Sequence, residues 1–503
     1  MKLKELLADW ADVPSTSLGS AGDSMITGLA LDSRVLAAGN VFIALAGAQQ
    51  HGLAHLAQAL EKQPVAILYD PAGDGLQLAA QAHANGIPLV KVDSLNVRLG
   101  ELAARYYAQP SQQMSVIGIT GTNGKTSCSQ FLSQLLDNCG LIGTLGWGEW
   151  GKLHKTLNTT PDALEIQRIL AQLHQDHKTT VAMEVSSHGL EQGRVNGVQF
   201  RGAVFTNISR DHLDYHGTME AYVKAKLLLL DKPGLAFAVV NLDDAYSAQI
   251  LAAIPANVSV WGFSKQGNTL ATQFSLNAEA ITHKPDGIAF TLRYHTGTYR
   301  VSVPLYGEFN VDNVLAVLAV MLALGVDIHA AVKKLALLQP VIGRMERFGG
   351  AGQPLVIVDY AHTPDALDKV LGSLKKHCPQ DLWVVFGCGG NRDQGKRPQM
   401  GAIAEQWADH VIITDDNPRF EQSAEIANAI LAGCQTAPQP NRLQVLLDRG
   451  QAIRHAIAAA ASQDIIVIAG KGHEDYQEIN GVRTPFSDSL VVLSALKTRA
   501  ETP

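Results

Sequence analysis

The chain has 503 residues, a mean hydropathy of +0.04 and a formal net charge of −7, from 40 Lys and Arg against 47 Asp and Glu. This length predicts about three domains, and an acidic balance without a Lys/Arg-rich run argues against nucleic acid as a partner. The five cysteines are scattered and never form a CxxC pair, which favours a reducing compartment and argues against a zinc ribbon or a disulfide framework.

Neither the N-terminal stretch nor the longest apolar run indicates a membrane protein. The N-terminal "MKLKELLADWADV" has acids within its apolar stretch, so it is not a signal peptide. The longest apolar run, "VLAVLAVMLALGV" at 314–326, is too short to span a bilayer and predicts a buried helix. A cytoplasmic location without membrane insertion is therefore expected.

In chain order, the elements fall into three segments. Residues 1–95 alternate short apolar strands with Gly/Asp turns, as in "NVFIALAG" and "PVAILYDP". A helical stretch, "NVRLGELAARYYAQPS", leads into residues 96–338, where strands such as "TVAMEVSS", "GAVFTNIS" and "LAFAVVN" alternate with helices. A polar linker flanked by Pro and Gly, at 339–349, opens the third segment, which ends at 503.

A glycine-rich turn at 116–127, "VIGITGTNGKTS", stands between an apolar strand and a helix. Backbone N–H groups of such a turn cradle phosphates, Lys125 would reach the terminal phosphates and Thr126 would hold Mg²⁺. Ile119 stands where the strict GxxxxGK[ST] pattern has Gly, so the match is to the shorter GxxGKT. A Gly-rich turn with a chance Lys-Thr is the alternative, but the strand–loop–helix context predicts binding of a nucleoside triphosphate.

Two more candidates follow later strands of the same segment. Glu184 is an acid at the end of an apolar strand, a common position for a Mg²⁺-directed carboxylate in phosphate-loop enzymes. His212 follows the next strand in "TNISRDHLDYHG". On the residues alone, Glu184 is equally well a helix-capping acid and His212 a surface turn histidine.

The third segment has the most regular pattern. The strand-like runs "PLVIVDY", "DLWVVFG", "HVIIT", "RLQVLL" and "DIIVIAG" each precede a loop, and most precede a helix, which predicts a doubly wound parallel sheet. The polar clusters "DYAHTPDA", "GCGGNRDQGKRP", "DDNPR" and "GKGHE" follow such strands, so we expect them along the edge where α/β proteins bind ligands. A dinucleotide-binding interpretation of "GCGGNRDQG" fails because Arg392 occupies the third glycine position.

These motifs together resemble the Mur ligase family. The resemblance is carried, in order along essentially the whole chain, by "LDSR", "GITGTNGKTS", "NTTPD", "MEVSSHGL", "NISRDHLDYHGTMEAYVKAK", "GRMERF", "DYAHTPDAL", "DNPR" and "GKGHE". It implies a three-domain α/β architecture with a UDP-sugar-binding domain (1–95), a central phosphate-loop ATPase domain (96–338) and a C-terminal Rossmann-like amino-acid-binding domain (339–503). Folylpolyglutamate synthetases share the ATPase core, but "LDSR", "DNPR" and "GKGHE" argue against them.

The resemblance also implies an activity. Family members of this kind use ATP and Mg²⁺ to join meso-diaminopimelate to the D-Glu γ-carboxylate of UDP-MurNAc-L-Ala-D-Glu through an acyl phosphate, in peptidoglycan precursor biosynthesis. A carboxylate is a poor electrophile, and phosphorylation converts one of its oxygens into a better leaving group. The protein must hold the negatively charged groups together and exclude water from the acyl phosphate. A monomer is expected.

By the same resemblance, a set of residues is expected at the nucleotide and the metal. The nucleotide set is Gly121, Thr122, Asn123, Gly124, Lys125, Thr126, Ser127, Asn310, Asn313, Arg344 and Asp359, with help from His362. The metal set is Thr126, Glu184, His212 and Lys226, and Lys125, Glu184, His212 and Lys226 are the expected catalytic residues. Lys226 stands at the family's carbamylated lysine, with Lys224 two residues earlier as the competing register. The alternatives are a solvated helix lysine for Lys226 and N-caps for the two asparagines.

The substrate-binding residues expected from the resemblance lie in all three segments. They are Leu31, Ser33, Gln49, Gln50, Asn158, Thr159, Thr160, Ser186, Gln192, Arg194, Arg392, Asp416, Asn417, Pro418, Arg419, Gly470 and Glu474. Ala48 stands where some relatives carry a polar residue. Arg194 is a solvated helix-end residue in the alternative interpretation.

Arg419 in "DDNPRFE" is expected to choose the amino acid. A guanidinium can pair with the distal carboxylate of meso-diaminopimelate, which L-lysine lacks, and Glu474 would accept the distal ammonium. A turn arginine paired with Asp415 or Asp416 is the plain alternative. L-lysine ligation, a phosphate-loop NTPase switch or motor, and a non-catalytic nucleotide-sugar binding protein remain as other functions.

Overall fold

The structure is a computed structural model that describes residues 1–10, 12–13, 15–47, 49–284, 287–435, 437, 439 and 442–501, so Ala48 lies outside the described residues. The chain divides into two compact units. The first comprises residues 1–118, 138–201 and 231–235, and the second comprises residues 119–137, 202–230 and 236–503.

The helices alternate with strands along the chain. They are α1 (Leu3–Leu6), α2 (Leu56–Glu61), α3 (Gly75–Gln81), α4 (Leu95–Tyr106), α5 (Lys125–Leu135), α6 (Ala163–Gln175), α7 (Ser187–Glu191), α8 (Leu213–His216), α9 (Met219–Leu227), α10 (Ser247–Ala253), α11 (Phe309–Ala323), α12 (Ile328–Leu335), α13 (Pro364–Lys375), α14 (Lys396–Trp407), α15 (Ser423–Leu431), α16 (Arg449–Ala459) and α17 (Asp488–Glu501). Short 3₁₀ helices cover Ser15–Asp23, Gly52–His55 and Pro110–Gln112.

The strands fall into parallel sheets with antiparallel additions. They are β1 (Gly28–Ala30), β2 (Asn40–Ala44), β3 (Ala66–Tyr69), β4 (Leu89–Lys91), β5 (Ser115–Thr120), β6 (Cys139–Gly143), β7 (Gly146–Glu149), β8 (Lys152–His154), β9 (Thr180–Glu184), β10 (Gly202–Phe205), β11 (Phe237–Asn241), β12 (Ser259–Ser264), β13 (Phe274–Lys284), β14 (Gly287–Tyr294), β15 (Gly297–Val303), β16 (Glu346–Gly349), β17 (Leu355–Asp359), β18 (Leu382–Phe386), β19 (His410–Ile413), β20 (Leu443–Val445), β21 (Ile465–Ala469), β22 (Tyr476–Ile479) and β23 (Val482–Pro485).

The first unit contains a small parallel sheet in the order β1-β2-β3-β4. Side chains of β2 alternate between two apolar clusters, with Val41 and Ile43 in one and Phe42 and Ala44 in the other. This period of two is what a strand covered on both faces requires. In the same unit β6 pairs in parallel with β9 and antiparallel with β7, which in turn pairs with β8.

The second unit begins its sheet with the parallel strands β10 to β13 and continues with antiparallel β14 and β15. Helix α11 packs against α5 and the strands β11 to β13. Its mean composition is apolar and most of its side chains are buried, as the run at 314–326 predicts. The antiparallel strands β13 to β15 lie where the sequence indicated only strand–helix alternation.

The C-terminal sheet has the order β16-β17-β21-β18-β19-β20. All of its pairs are parallel except β16 with β17, and apolar clusters that include helix residues cover both faces, so the doubly wound prediction is confirmed. The strand β16 (Glu346–Gly349) lies within the predicted linker. Four neighbouring strands, β17, β21, β18 and β19, end next to one another and are followed by the polar loops that the sequence placed at one edge.

Local sequence explains how these helices start. Thr363 caps α13 by accepting a hydrogen bond from the backbone N–H of Ala366, and Pro364 occupies the first helical position, where its missing N–H costs nothing.

A two-stranded hairpin, β22–β23, turns at Asn480-Gly481, whose φ angles of +52° and +75° suit this dipeptide. Among the described residues, no helix is long and apolar enough to cross a membrane.

Candidate active site

The glycine-rich turn joins β5 to α5, and two of its positions accept only glycine. Gly121 and Gly124 have φ angles of +145° and +86°. A Cβ on Gly121 would lie 2.0 Å from Oγ1 of Thr206, and one on Gly124 would lie 2.5 Å from Oδ1 of Asn313. Because α5 begins at Lys125, the turn lies at a helix N-terminus, where backbone N–H groups attract anions.

Lys125 and Thr126 occupy the positions that the phosphate-loop pattern predicts. Nζ of Lys125 donates to the backbone carbonyls of Gly121 (2.8 Å) and Thr122 (2.9 Å), so the ammonium lies over the turn. Thr126 is buried, and its Oγ1 lies 3.5 Å from Nη2 of Arg344. The turn thus brings together two cationic side chains and a hydroxyl.

The rest of the turn is held by the loop that follows β10. The backbone N–H of Asn123 donates to Oδ1 of Asn207 (3.0 Å), and Oγ1 of Thr122 donates to the carbonyl of Ser209 (3.1 Å). Ser127 is buried in the first turn of α5. These bonds fix the backbone that would face a phosphate.

Lys226 lies in α9 and is 1% exposed. Its Nζ donates to the carbonyl of Gly121 (2.9 Å) and lies 4.4 Å from the centre of the Tyr222 ring. Burial and the nearby Lys125 hold the pKa of Lys226 well below its ordinary value, against the opposing effect of Asp211. The amine is therefore neutral, and so nucleophilic, at lower pH than an ordinary lysine amine.

His212 precedes α8 and has a left-handed backbone, with φ of +54°. Its Nε2 lies 3.4 Å from Oδ2 of Asp211. Burial acts to raise the pKa of Asp211, but the charges of His212, His362 and Lys396 outweigh it and lower the pKa. For His362 itself, burial is the main cause that lowers the pKa, so this imidazole favours its neutral form.

Asn310 and Asn313 form a bonded pair on α11. Nδ2 of Asn313 donates to Oδ1 of Asn310 (2.8 Å), and Nδ2 of Asn310 donates to the carbonyl of Tyr306 (2.6 Å). The N-cap of α11 is Glu308, which makes no capping bond with its side chain, so the capping interpretation of the two asparagines is wrong. Asn313 instead packs against the glycine-rich turn, at Gly124.

Arg344 and Asp359 meet beside the ring of Tyr360. The guanidinium carbon of Arg344 lies 4.2 Å from the ring centre, and its Nε is buried without a hydrogen-bond partner among the described residues. Asp359 ends β17 and accepts from the backbone N–H groups of Met345 and Ala361, both at 2.8 Å. Burial raises the pKa of Asp359, and Arg344 opposes the shift.

Asp365, in the first turn of α13, reaches two residues around the phosphate loop. It accepts from Nδ2 of Asn123 (3.0 Å) and from Oγ of Ser209 (3.3 Å), and it pairs with Lys369. The sequence "DYAHTPDAL" contained this acid, but nothing in its spacing distinguished it from a helix-start carboxylate.

Arg419 follows β19 and has a left-handed backbone, with φ of +53°. Its Nη1 donates to the carbonyl of Gly390 (2.8 Å). The two acids of its turn have other partners, because Asp415 accepts from Oγ of Ser423 (2.7 Å) and Asp416 pairs with a buried lysine described below. The alternative of a turn arginine paired with its own acids is not what the structure shows.

The other predicted amino-acid residues lie on neighbouring loops. Nδ2 of Asn417 donates to Oε2 of Glu474 at 2.8 Å. Gly470 follows β21 with φ of +114°, Pro418 is buried beside Asn417, and Arg392 is exposed. The edge of the C-terminal sheet therefore presents guanidinium, amide and carboxylate groups together.

In the first unit, Glu184 ends β9 and is 1% exposed. It accepts from the backbone N–H (3.0 Å) and Oγ1 (2.9 Å) of Thr144, whose hydroxyl is also 3.0 Å from that of Thr159. The following helix α7 is capped by Ser186 instead, so the capping interpretation of Glu184 is wrong. Thr144 carried no signal in the sequence analysis.

The remaining predicted residues of this unit gather around Thr160. Its Oγ1 accepts from the N–H of Ser186 (3.0 Å), and its carbonyl accepts from Nη1 of Arg194 (2.8 Å). Nε of Arg194 also donates to Oε1 of Gln192 (2.9 Å). Asn158 is exposed.

A separate cavity of about 410 Å³ opens in the same unit. It is lined by Leu31, Asp32, Ser33, Arg34, Phe42, Gly52, His55 and Gln58. Oγ of Ser33 donates to Oε1 of Gln58 (2.6 Å), and Nε2 of Gln50 lies 2.5 Å from a ring nitrogen of His55. Gln49 and Gln50 are exposed.

The second unit therefore gathers the predicted nucleotide residues, Lys226 and, on the sheet edge, the predicted amino-acid residues. The first unit gathers Glu184 with the predicted peptide residues, and the cavity at Ser33 is a distinct feature. Sequence analysis missed Thr144, Asp211 and Asp365. Only Asp211 had a usable signal, an acid directly before a candidate metal-binding histidine.

Comparison with known proteins gives consistent results. The Mur ligase middle domain matches residues 119–321, and the Mur ligase glutamate ligase domain matches residues 343–472. A protein of Alkalilimnicola ehrlichii named UDP-N-acetylmuramoyl-L-alanyl-D-glutamate–2,6-diaminopimelate ligase is 46% identical, over 99% of both chains. A solved structure of a ligase with that name is 37% identical with a TM-score of 0.66, over 95% of this chain and 96% of the other.

A more distant solved structure shows the same fold. The MurF ligase of Thermotoga maritima, solved in complex with ADP, has a TM-score of 0.66 at 18% identity, over 95% of this chain and 99% of the other. The fold expected from the sequence is confirmed.

Proposed function

Because the chain belongs to the Mur ligase family, we propose that it joins meso-diaminopimelate to UDP-MurNAc-L-Ala-D-Glu in an ATP-dependent reaction of peptidoglycan precursor synthesis. The observation that carries the proposal is the edge of the C-terminal sheet, where the loop after β19 carries both Arg419 and Asn417, and Asn417 bonds Glu474 of the loop after β21. A guanidinium and a carboxylate are the two groups that an ammonium-carboxylate head group needs.

The reaction makes and breaks bonds in two steps. An oxygen of the D-Glu γ-carboxylate takes the γ-phosphoryl group of ATP and ADP departs, which gives an acyl phosphate. The amine of the amino acid then attacks the acyl carbon, loses a proton and expels inorganic phosphate as the amide forms. Lys125, Arg344 and the N-terminus of α5 supply positive charge around the phosphates, which supports their assignment to this step.

Mg²⁺ is proposed to bind through Thr126, Glu184, His212 and Lys226. Mg²⁺ prefers oxygen ligands, and a bare lysine amine does not suit it. Lys226 fits once its amine carries CO₂, because the carbamate is an anion with two oxygens, and the lowered pKa of this buried amine favours the neutral form that attacks CO₂. When bound, the metal would neutralise phosphate charge.

The remaining residues are assigned to substrates. Asn310, Asn313 and Asp359 are proposed to hold the adenosine, and the cavity at Leu31 and Ser33 the uridine, with Gln49 and Gln50 nearby. The peptide would meet the group around Thr160: Asn158, Thr159, Thr160, Ser186, Gln192 and Arg194. The distal head of the amino acid would meet Arg392, Asp416, Asn417, Pro418, Arg419, Gly470 and Glu474.

Location, assembly and domain bounds are also proposals. The cysteines of the described residues are all free thiols, which supports a reducing compartment, the cytoplasm, where ATP is available. A monomer and the domain bounds 1–95, 96–338 and 339–503 complete the proposal.

The test is product formation from UDP-MurNAc-L-Ala-D-Glu and ATP, measured by mass spectrometry, with meso-diaminopimelate and L-lysine offered in parallel. We expect a product with meso-diaminopimelate alone. A product with L-lysine alone would keep the ligase chemistry and overturn the assigned acceptor. ATP hydrolysis with neither product would favour a phosphate-loop NTPase instead.

A further inference from the structure

Lys471 follows β21 and its side chain is 0% exposed. Nζ of Lys471 lies 3.0 Å from Oδ1 of Asn417, 3.0 Å from Oε2 of Glu474 and 3.5 Å from Oδ1 of Asp416. A lysine is almost never fully buried without partners, because removal of its charge from water is costly. All three partners belong to the proposed amino-acid site, although Lys471 itself has no role assigned above.

These contacts fix the orientation of Asn417. Its Oδ1 accepts from Lys471 and from the backbone N–H of Glu478 (3.0 Å), so its Nδ2 faces Glu474. Both bonds to Glu474, from Asn417 and from Lys471, use Oε2. Oε1 is therefore the oxygen of Glu474 that remains for a substrate ammonium.

The buried charge also sets the balance of the pocket. Asp416 and Glu474 carry two negative charges, while Lys471 and Arg419 carry two positive charges, so these four groups sum to zero. A head group with both an ammonium and a carboxylate adds no net charge to this set. A head group with an ammonium alone adds one positive charge, and the cation of Lys471 disfavours it.

Among the neighbouring charged groups, Arg449 and Arg483 have carboxylate partners, Arg392 is exposed, and Asp415 bonds a neutral hydroxyl. Arg449 is fully buried and pairs with both oxygens of Asp488, at 2.7 and 2.8 Å. Arg483 pairs with Glu478 at 3.1 Å, and the Arg392 side chain is exposed. Asp415 uses its carboxylate on Ser423, and burial, the largest cause, raises its pKa.

We propose that Lys471 is a second specificity-determining residue for the acceptor amino acid, which acts through Glu474 and Asn417 and favours a head group that carries both charges. The inference rests on the proposed function. It assigns part of the discrimination against L-lysine to a residue that touches no substrate atom. Arg419 binds the distal carboxylate, and the positive charge of Lys471 weakens the binding of a head group that carries only an ammonium.

The experiment measures kcat/KM for meso-diaminopimelate and for L-lysine in Lys471→Met. We expect the ratio of the two to fall by about 10- to 100-fold, as the loss of one buried charge near a second charge predicts, while KM for ATP stays unchanged. A merely structural defect would lower kcat/KM equally for the two acceptors and leave their ratio unchanged. Lys497→Met, which removes an exposed lysine of α17, is the matched control.

Two further variants separate charge from packing. Lys471→Gln keeps a hydrogen-bond donor without the charge, and it carries the test if Lys471→Met does not fold. The double variant Lys471→Met/Asp416→Asn restores a sum of zero, and we expect its acceptor ratio to return towards that of the unmodified enzyme. An acceptor ratio that is unchanged in folded Lys471→Met or Lys471→Gln overturns the inference. A double variant whose acceptor ratio is as low as that of Lys471→Met overturns it as well. If the unmodified enzyme itself makes no diaminopimelate product, the proposed function has failed instead.

Discussion

Lys224 and Lys226 lie two residues apart on α9 in opposite surroundings. Lys226 is buried beside the phosphate loop, whereas Lys224 is exposed. Because a helix turns by 100° per residue, two positions apart point to opposite sides. The structure thus supports the register that the sequence favoured.

We expect Lys226→Ala to lower kcat at least about 100-fold, since the proposed metal would lose a ligand. We also expect removal of CO₂ from the buffers to lower activity and bicarbonate to restore it. The neutral amine exists below the ordinary lysine pKa because the pKa of Lys226 is lowered, and it is lost as the pH falls through that lowered value. Lys224→Ala is the control that should change neither property. Full activity in CO₂-free buffer, with no response to bicarbonate, would contradict the carbamate.

Arg419→Ala is expected to lower kcat/KM for meso-diaminopimelate by about 10²- to 10⁴-fold, because the distal carboxylate would lose its charged partner. KM for ATP should change little. Arg454→Ala, an exposed arginine on α16, is the control for a loss of positive charge in the same domain. Steady-state kinetics with both substrates varied would decide, and an Arg419→Ala enzyme with an unchanged KM for the amino acid would refute the assignment.

At this scale the sequence identifies the residues proposed to contact ligands more readily than the residues that support them. Lys125 stands out because the glycine-rich turn leads into α5, and Arg419 and Glu474 stand out because they lie in motifs that resemble those of the family, in loops that follow strands. Lys471 and Asp365 were visible in the same motifs, but their roles depend on partners 54 and 242 positions away. Sequence spacing carries no information on such contacts.

The hairpin β22–β23 supports the loop that carries Arg419. The backbone N–H of Arg419 donates to the carbonyl of Glu478 (3.0 Å), and its carbonyl accepts from Asn480 (2.6 Å). Nε2 of Gln477 donates to the carbonyl of Asp416 (2.8 Å). These bonds stabilise the left-handed backbone of Arg419, which a non-glycine residue adopts only when its surroundings hold it.

We expect Gln477→Ala to raise KM for meso-diaminopimelate several-fold without a change in KM for ATP. The loss of one part-buried hydrogen bond costs about 1 kcal/mol, which corresponds to this size of effect. Arg483→Ala on the opposite strand, whose side chain is largely exposed, is the control. Equal effects of the two variants would mean that the hairpin has no specific role in the site.

The buried pair Arg449–Asp488 joins three elements. Arg449 begins α16 and bonds the carbonyls of Asp415 (3.2 Å) and Ala469 (2.9 Å), while Asp488 begins α17. Asp488→Asn is expected to lower the free energy of unfolding by about 3–5 kcal/mol, because it leaves a buried cation without its anion. Urea denaturation would measure the change, and Arg449→Met/Asp488→Leu should be less destabilised. A single variant as stable as the unmodified protein would contradict this.

At the scale of elements the sequence predicted the parallel strands and missed the antiparallel ones. Long apolar runs such as 465–469 identify buried strands by hydrophobicity alone. The hairpin at 476–485 is polar and exposed, and its one signal, the Asn480-Gly481 dipeptide between Ile479 and Val482, is typical of a two-residue turn.

At the scale of the whole molecule, the contact of Asp365 with Asn123 and Ser209 is one of those that join the predicted C-terminal and central domains, and it lies at the phosphate loop. A site that makes an acyl phosphate must keep water away until the amine arrives. We expect Asp365→Ala to release more phosphate per amide formed, measured as the ratio of phosphate to ligated product. Glu425→Ala, an exposed acid of α15, should keep the ratio of the unmodified enzyme. A ratio unchanged in Asp365→Ala would show that the contact is not needed for coupling.

The turn at Asn480-Gly481 is a site where the protein should change slowly by a spontaneous chemical reaction. Asparagine followed by glycine in an exposed turn is prone to deamidation, which converts the asparagine largely into isoaspartate and adds one carbon to the main chain. Here that backbone hydrogen-bonds the residue proposed to recognise the acceptor. During storage the KM of the enzyme for the acceptor amino acid should therefore rise, while its KM for ATP stays unchanged.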